Sequence, residues 1–238
     1  MAMASDVSYP SDRAFWASVG VRAGREARQT GAKKAEILRR FVYDRLLARV
    51  FHGPDGHWVL KGGTALLIRV HRARYSKDVD LLHEINDPDA AHADLSARLS
   101  IDLGDHLRFE LGRPKRTSAS EGQPEVTGSR VPVLVYCGVK KVEQFHIDLI
   151  TGSMMTVEPE IAARLSGIDI DGLAPAQVRL YPIVDHIADK IAATETVYAS
   201  GPSSRVRDLV DLVAAFVEPA MASLVDGKRW DPQETRWR

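Results

Sequence analysis

Cysteine is all but absent: Cys137 is the single one in 238 residues. No internal disulfide framework is available, and a reducing compartment suits such a chain. An excess of charge of either sign is also missing, because Lys plus Arg and Asp plus Glu both total 32. No global field therefore draws the protein onto a polyanion, and any phosphate or nucleic-acid site has to be local. Long apolar runs are missing too. Nothing approaches the roughly 20 residues that span a bilayer, and the opening MAMASDVSYPSDR has no apolar leader region. There are no internal repeats. What remains, 45% hydrophobic and 27% charged residues, is the composition of a globular chain large enough to bury a core. A soluble cytoplasmic protein with no membrane partner is expected.

Periodicity orders this material. Residues 12–30 and 32–51 repeat at helical spacing, the second with Ile37, Leu38, Phe41, Leu46 and Val50 on one face and Arg39, Arg40, Arg45 and Arg49 on the other. HGPDG (52–56) is a turn, 57–60 a short strand, 64–70 a short helix opened by two glycines, and 79–83 a strand. A helix over 87–99, a strand over 106–111 and a polar loop over 113–129 follow. Strands over 131–139 and 144–150 are expected to form a hairpin turning near Lys140-Lys141. Beyond Gly152 the pattern predicts a short helix in EPEIAARL, a strand in AQVRLY, a helix over 183–197 and another to Phe216 with Ser204 as its N-cap. The fold class expected is α+β: a mixed sheet flanked by helices over 1–152, then a mainly helical region over 153–238 that completes the site.

The chemistry concentrates in WVLKGGTALLIRVHRARYSKDVDLLHE, residues 58–84. Asp78 and Asp80 stand at i and i+2 at the start of a strand, so they project to one side. Two such carboxylates raise each other's pKa unless a cation lies between them, and a hard divalent ion, Mg2+ or Mn2+, is one that also keeps positions for phosphate. The alternative is a strand start balanced by Arg72, Arg74 or Lys77. Gly62-Gly63, between a strand and a helix, lets backbone amides approach a phosphate, and Thr64 adds a hydroxyl; the alternative is a plain tight turn. The spacing is not that of a P-loop. A third acid, Asp148, interrupts the apolar strand FHIDLI, where Ile147 and Leu149 face the other way. An acid there is costly unless it is paired or binds metal.

In combination these residues resemble the nucleotidyltransferases of the DNA polymerase β-like fold, and within them the AbiEii branch of toxin components, which includes the mycobacterial MenT toxins. The resemblance rests on Leu60 to Leu66 (LKGGTAL), on Arg74, Ser76, Asp78 and Asp80, on Lys190 in IVDHIADKIAAT, and on Asp208 and Asp211 in RVRDLVDLV, where Arg207 stands in place of a lysine. It covers roughly residues 42–215. It implies that Asp78 and Asp80 hold the metal and an NTP, that Asp148 is the third carboxylate, that Lys61, Gly62, Gly63, Thr64 and Ser76 line the phosphates, and that Lys190 neutralises the triphosphate. Asp208 or Asp211 would complete the site. In some relatives the serine at Ser76 is a control point, silenced by phosphorylation, which would set negative charge beside Asp78.

The resemblance further implies the 3′ end of tRNA as acceptor and an AbiEi-like antitoxin as partner. Arg69, His71, Arg72, Arg74 and Lys77 beside the site, with the arginines of the 32–51 helix, are the candidate RNA contacts. The competing readings are a small-molecule or protein acceptor on the same fold, or a non-catalytic scaffold that binds nucleotide or antitoxin.

Overall fold

A computed structural model describes residues 9–53, 56–69, 76–117, 127–163, 165–195, 197–198, 201–202, 206–213, 230–231 and 236–237. Helix α1 (Asp12–Thr30) begins where the Ser11 side chain accepts a bond from the Ala14 amide and ends at Gly31, whose φ of 75° no side chain favours. Helix α2 (Lys34–Val50) follows at once. Next come β1 (Trp58–Lys61), α3 (Gly62–Arg69), β2 (Val79–His83) and α4 (Pro88–Leu99), which is capped by the Asp87 carboxylate with Pro88 at its first position.

Strands β3 (Leu107–Leu111), β4 (Lys115–Thr117), β5 (Thr127–Cys137) and β6 (Lys140–Thr151) build one side of the sheet. Strands β7 (Glu160–Ala163) and β8 (Gln177–Leu180) complete the other. The strand order is β3-β5-β6-β2-β1-β8-β7, with β4 also on β5. The sheet is mixed: β2 runs parallel to β6, and β1 parallel to β8, while β1 and β2 are antiparallel. Helix α5 (Ile183–Glu195) precedes a small ladder of β9 (Val197–Tyr198) with β10 (Gly201–Pro202); then come α6 (Val206–Leu212) and a second ladder of β11 (Trp230–Asp231) with β12 (Arg236–Trp237).

Alternation divides the sheet into two faces. Leu60, Val79, Leu81, Val131, Val133, Ile147 and Leu149 join Phe15, Phe41, Leu46 and Leu95 of the helices in the main core. The opposite face carries a small cluster of Val59, Leu82 and Tyr181. Asp80 and Asp148 share that second face, as the period of two requires. The core thus holds one face of the central strands rigid and leaves the other to carry polar groups.

Four local expectations change. The stretch EPEIAARL is not a helix: Glu160–Ala163 pairs antiparallel with β8 and closes the sheet edge. Its alanines favour a helix intrinsically, but four residues are too few to hold one against an open ladder. The hairpin turns at Gly138-Val139, two residues earlier than expected, with Gly138 at φ 59°. The polar loop after residue 113 contains β4, and β5 starts at Thr127. Finally, the arginine face of α2 is not a surface. Arg45 and Arg49 are 3% and 1% exposed and both grip buried Asp105: Arg45 Nε donates to Oδ2 at 2.8 Å, and Arg49 Nη2 to Oδ1 at 2.6 Å. Burial by itself raises the Asp105 pKa, yet the two guanidiniums outweigh it and hold the carboxyl below its usual range. Arg39 in turn pairs with Glu143 at 2.8 Å. Ser204, the expected N-cap, lies outside the described residues.

Candidate active site

The parallel register of β2 and β6 sets Asp80 directly beside Asp148, and the antiparallel register of β1 and β2 sets Lys61 on the other side of Asp80. Asp78 is the last residue before β2 and is only partly buried. The Asp80 carboxyl is pushed up to about 6, first by burial and then by the charges of Asp148 and Asp78, against a partial correction from Lys190 and Lys61. Asp148 is raised as well, chiefly by burial; Arg130 lowers it and Asp78 raises it. The three acids named from the sequence therefore feel one another, and the two lysines named with them feel Asp80.

Gly62 stands against this centre in a way that no other residue can. Its φ is 65°, and a Cβ there would lie 1.9 Å from Asp80 Oδ2 and 2.4 Å from its Cγ. The first glycine is thus the notch into which the Asp80 carboxylate fits, and α3 begins at it, two residues earlier than periodicity indicates. Gly63 and Thr64 are buried in the first turn. The Thr64 hydroxyl donates to the Asp78 carbonyl at 3.0 Å, and the Ser76 hydroxyl donates to the same carbonyl at 3.0 Å. Both hydroxyls fix the backbone that presents Asp78, and Ser76 is 7% exposed.

Helices α5 and α6 supply the cationic side. Lys190 Nζ lies 2.8 Å from Asp208 Oδ1 and 2.8 Å from Asp211 Oδ2, so both candidate acids of α6 grip the same lysine. The i, i+3 spacing on one helix face permits this. Lys61 Nζ is held by Asp189 Oδ2 at 3.0 Å, touches Ser153 Oγ at 3.3 Å and sits 3.8 Å from the centre of the Tyr181 ring. Arg72 and Arg74 lie outside the described residues. Lys77 is exposed next to Asp78.

Three residues of the site were not foreseen. Asp189 precedes Lys190 and orients Lys61. Arg130 of β5, directly opposite Asp148 in register, reaches Asp78 Oδ2 at 3.0 Å and Asp148 Oδ2 at 3.7 Å. The His146 ring stands 3.9 Å from Asp78 Oδ1. Among the described residues no group of three His, Cys, Asp or Glu side chains is gathered as a metal site, and between Asp78 and Asp148 the local cation is a guanidinium. The donor chemistry still fits a hard divalent ion. These are oxygen ligands only, and burial first, then the charges of Asp148 and Asp78, raise the Asp80 pKa, a cost of ionisation that such an ion relieves.

The structure of JHP933 from Helicobacter pylori is similar at 18% identity and a TM-score of 0.43, over 76% of this chain and 65% of that one. A candidate nucleotidyltransferase from H. pylori, also at 18% identity and a TM-score of 0.43, matches over 74% and 66%. The chain thus spans about two thirds of the length of these relatives. No curated protein matches it. The family model for the nucleotidyl transferase AbiEii toxin of type IV toxin–antitoxin systems matches residues 45–225, which include every residue of the site described above. The chain belongs to the AbiEii nucleotidyltransferase toxin family.

Proposed function

We propose that this protein transfers a nucleotidyl group from an NTP to an RNA 3′ hydroxyl, with the tRNA acceptor end as substrate. In doing so it acts as a toxin that blocks translation until an AbiEi-like antitoxin restrains it. The observation that carries the transfer chemistry is the convergence of Asp78, Asp80 and Asp148 on one sheet face, with the charges of Lys61 and Lys190 bearing on Asp80. The acceptor and the partner rest on family membership.

Asp78, Asp80 and Asp148 would hold Mg2+ or Mn2+, which supplies charge neutralisation of the triphosphate when bound. Asp148, its proton affinity raised by burial, takes the proton of the acceptor hydroxyl. The acceptor oxygen then bonds the α-phosphorus as the bond to pyrophosphate breaks, and Lys190, kept in place by Asp208 and Asp211, stabilises the charge that leaves. Because the Thr64 hydroxyl is engaged with Asp78, the phosphate cradle on this reading consists of the backbone N–H groups that open α3. A phosphate on Ser76 would break the bond that fixes the Asp78 carbonyl and place negative charge beside the carboxylates.

The test is a transfer assay of the purified chain with total tRNA, Mg2+ and each labelled NTP in turn. Label on tRNA 3′ ends that is lost in Asp78→Ala supports the reading. Label on another acceptor, or none with any NTP, removes the tRNA assignment.

A further inference from the structure

A line of charged residues crosses the sheet. Arg130, Asp148, Asp80 and Lys61 occupy paired positions on β5, β6, β2 and β1, which are neighbours in that order. Cross-strand pairs share a face, so the line reads cation, acid, acid, cation. Its two cations are not held alike. Lys61 has its side chain 11% exposed and rests at 3.0 Å on Asp189, which is not one of the three acids. Arg130 has its side chain 42% exposed and is drawn onto the acids themselves. Its Nη2 lies 3.0 Å from Asp78 Oδ2, and its Nη1 lies 3.7 Å from Asp148 Oδ2.

Asp78 and Asp148 are two of the three carboxylates that would hold the divalent ion. A guanidinium that spans them uses lone pairs the ion needs, and its charge repels a second cation at short range. Ion and guanidinium therefore compete for the same oxygens. Arg130 is placed to yield. Arg45 and Arg49 are buried, and each also donates to a main-chain carbonyl, Arg45 to Ala174 at 2.8 Å and Arg49 to Leu107 at 2.9 Å. A half-exposed arginine exchanges partners at far lower cost, because water and salt screen the pair. What the exchange favours follows from charge. A bare Mg2+ or Mn2+ is repelled by Arg130 as it nears the acids. The same ion carried by a triphosphate belongs to a net anion, which Arg130 attracts. Its phosphate oxygens also offer the planar fork of donors a replacement for the Asp78 oxygen.

We propose that Arg130 is a specificity residue of this centre. It closes Asp78 and Asp148 to a bare divalent ion and opens them to an ion that arrives bound to a nucleotide, passing its guanidinium from carboxylate to phosphate. This role rests on the nucleotidyl-transfer reading of the three acids.

Two binding measurements on the full chain test this. Mn2+ alone is followed by the electron paramagnetic resonance signal of the free ion, and each labelled NTP by equilibrium dialysis in excess Mn2+. Arg130→Gln should bind Mn2+ alone about tenfold more tightly and the Mn2+–NTP complex about tenfold more weakly. A merely structural arginine would weaken both on removal, and a simple competitor with no hold on the nucleotide would strengthen both. Either result, or no change in either affinity, overturns the assignment. Arg130→Lys, which keeps the charge and loses the fork, should restore the weak binding of Mn2+ alone and recover only part of the affinity for the complex. Asp80→Asn separates the two readings. Loss of Mn2+–NTP binding there, with neither affinity changed in Arg130→Gln, leaves the nucleotidyl-transfer centre standing without this role for Arg130. If the wild type binds no NTP in Mn2+, both fall.

Discussion

At the scale of single residues, Gly62 and Asp80 form one unit, because the carboxylate occupies the space a side chain at residue 62 would need. Gly62→Ala should abolish transfer by displacing Asp80. It should also cost about 1–2 kcal/mol of stability, since an L-residue is strained at positive φ; urea unfolding beside the transfer assay checks both. A variant that keeps full activity would show that the contact does not matter. Asp80 itself carries a pH signature. Its folded pKa, about 6, lies above the unfolded value of 3.8, so between these values the native state holds a proton that the unfolded state has lost. Stability contributed by this group is therefore present at low pH and is lost as pH rises through 6. With EDTA present, Asp80→Asn should be more stable than wild type at pH 8, by on the order of 2 kcal/mol, and no more stable at pH 4. Mg2+ should reverse the ranking at pH 8, because only the ionised carboxylate holds the ion. The acids were legible in the sequence because their signal is local: two aspartates at period two, and one acid breaking an apolar strand. Arg130 was not. It faces Asp148 only because a bulge near Val135 and Tyr136 shifts the β5–β6 register by one residue. Without that shift it would oppose Ile147 and point into the core.

At the scale of elements, most helices and strands could be read directly, since caps, turns and periods are written within each segment. The failures arise where a distant partner decides. The short strand β7 exists because β8 offers it a ladder. The arginines of α2 read as a basic face because the acid that neutralises them, Asp105, is far away in sequence and sits between α4 and β3. That buried trio joins α2 to the start of β3, with Arg49 Nη2 also donating to the Leu107 carbonyl at 2.9 Å. Removing the acid leaves two guanidiniums buried without a counter-charge. Asp105→Ala is expected to destabilise the fold by about 3–5 kcal/mol, seen as a lower urea midpoint with little change in slope. A loss below about 1 kcal/mol would mean that water reaches the arginines. The same comparison explains why Lys190 carries weight that its sequence context alone could not give it: α6 supplies two acids to one ammonium, and the order of α5 and α6 along the chain does not reveal that they meet.

At the scale of the whole molecule, the charge balance restricts how the protein would hold the tRNA proposed as its acceptor. With 32 basic and 32 acidic residues there is no long-range attraction to a polyanion. Arg39, Arg45 and Arg49 are moreover spent on Glu143 and Asp105. Among the described residues beside the carboxylates, Lys77 is exposed and Arg130 is 42% exposed, which offers the RNA backbone a local patch. Each phosphate that such a patch neutralises contributes somewhat less than one unit to the slope of log K against log salt. The expected slope for tRNA is shallow, about −2 to −4, against the roughly −10 of a protein that binds through an extended basic face. Lys77→Glu should weaken tRNA binding at low salt and flatten that slope by about one to two units. Filter binding across a salt series decides the matter. A steep slope that survives Lys77→Glu would place the RNA on another surface, whereas no binding at any salt would point to a small acceptor that needs no basic track.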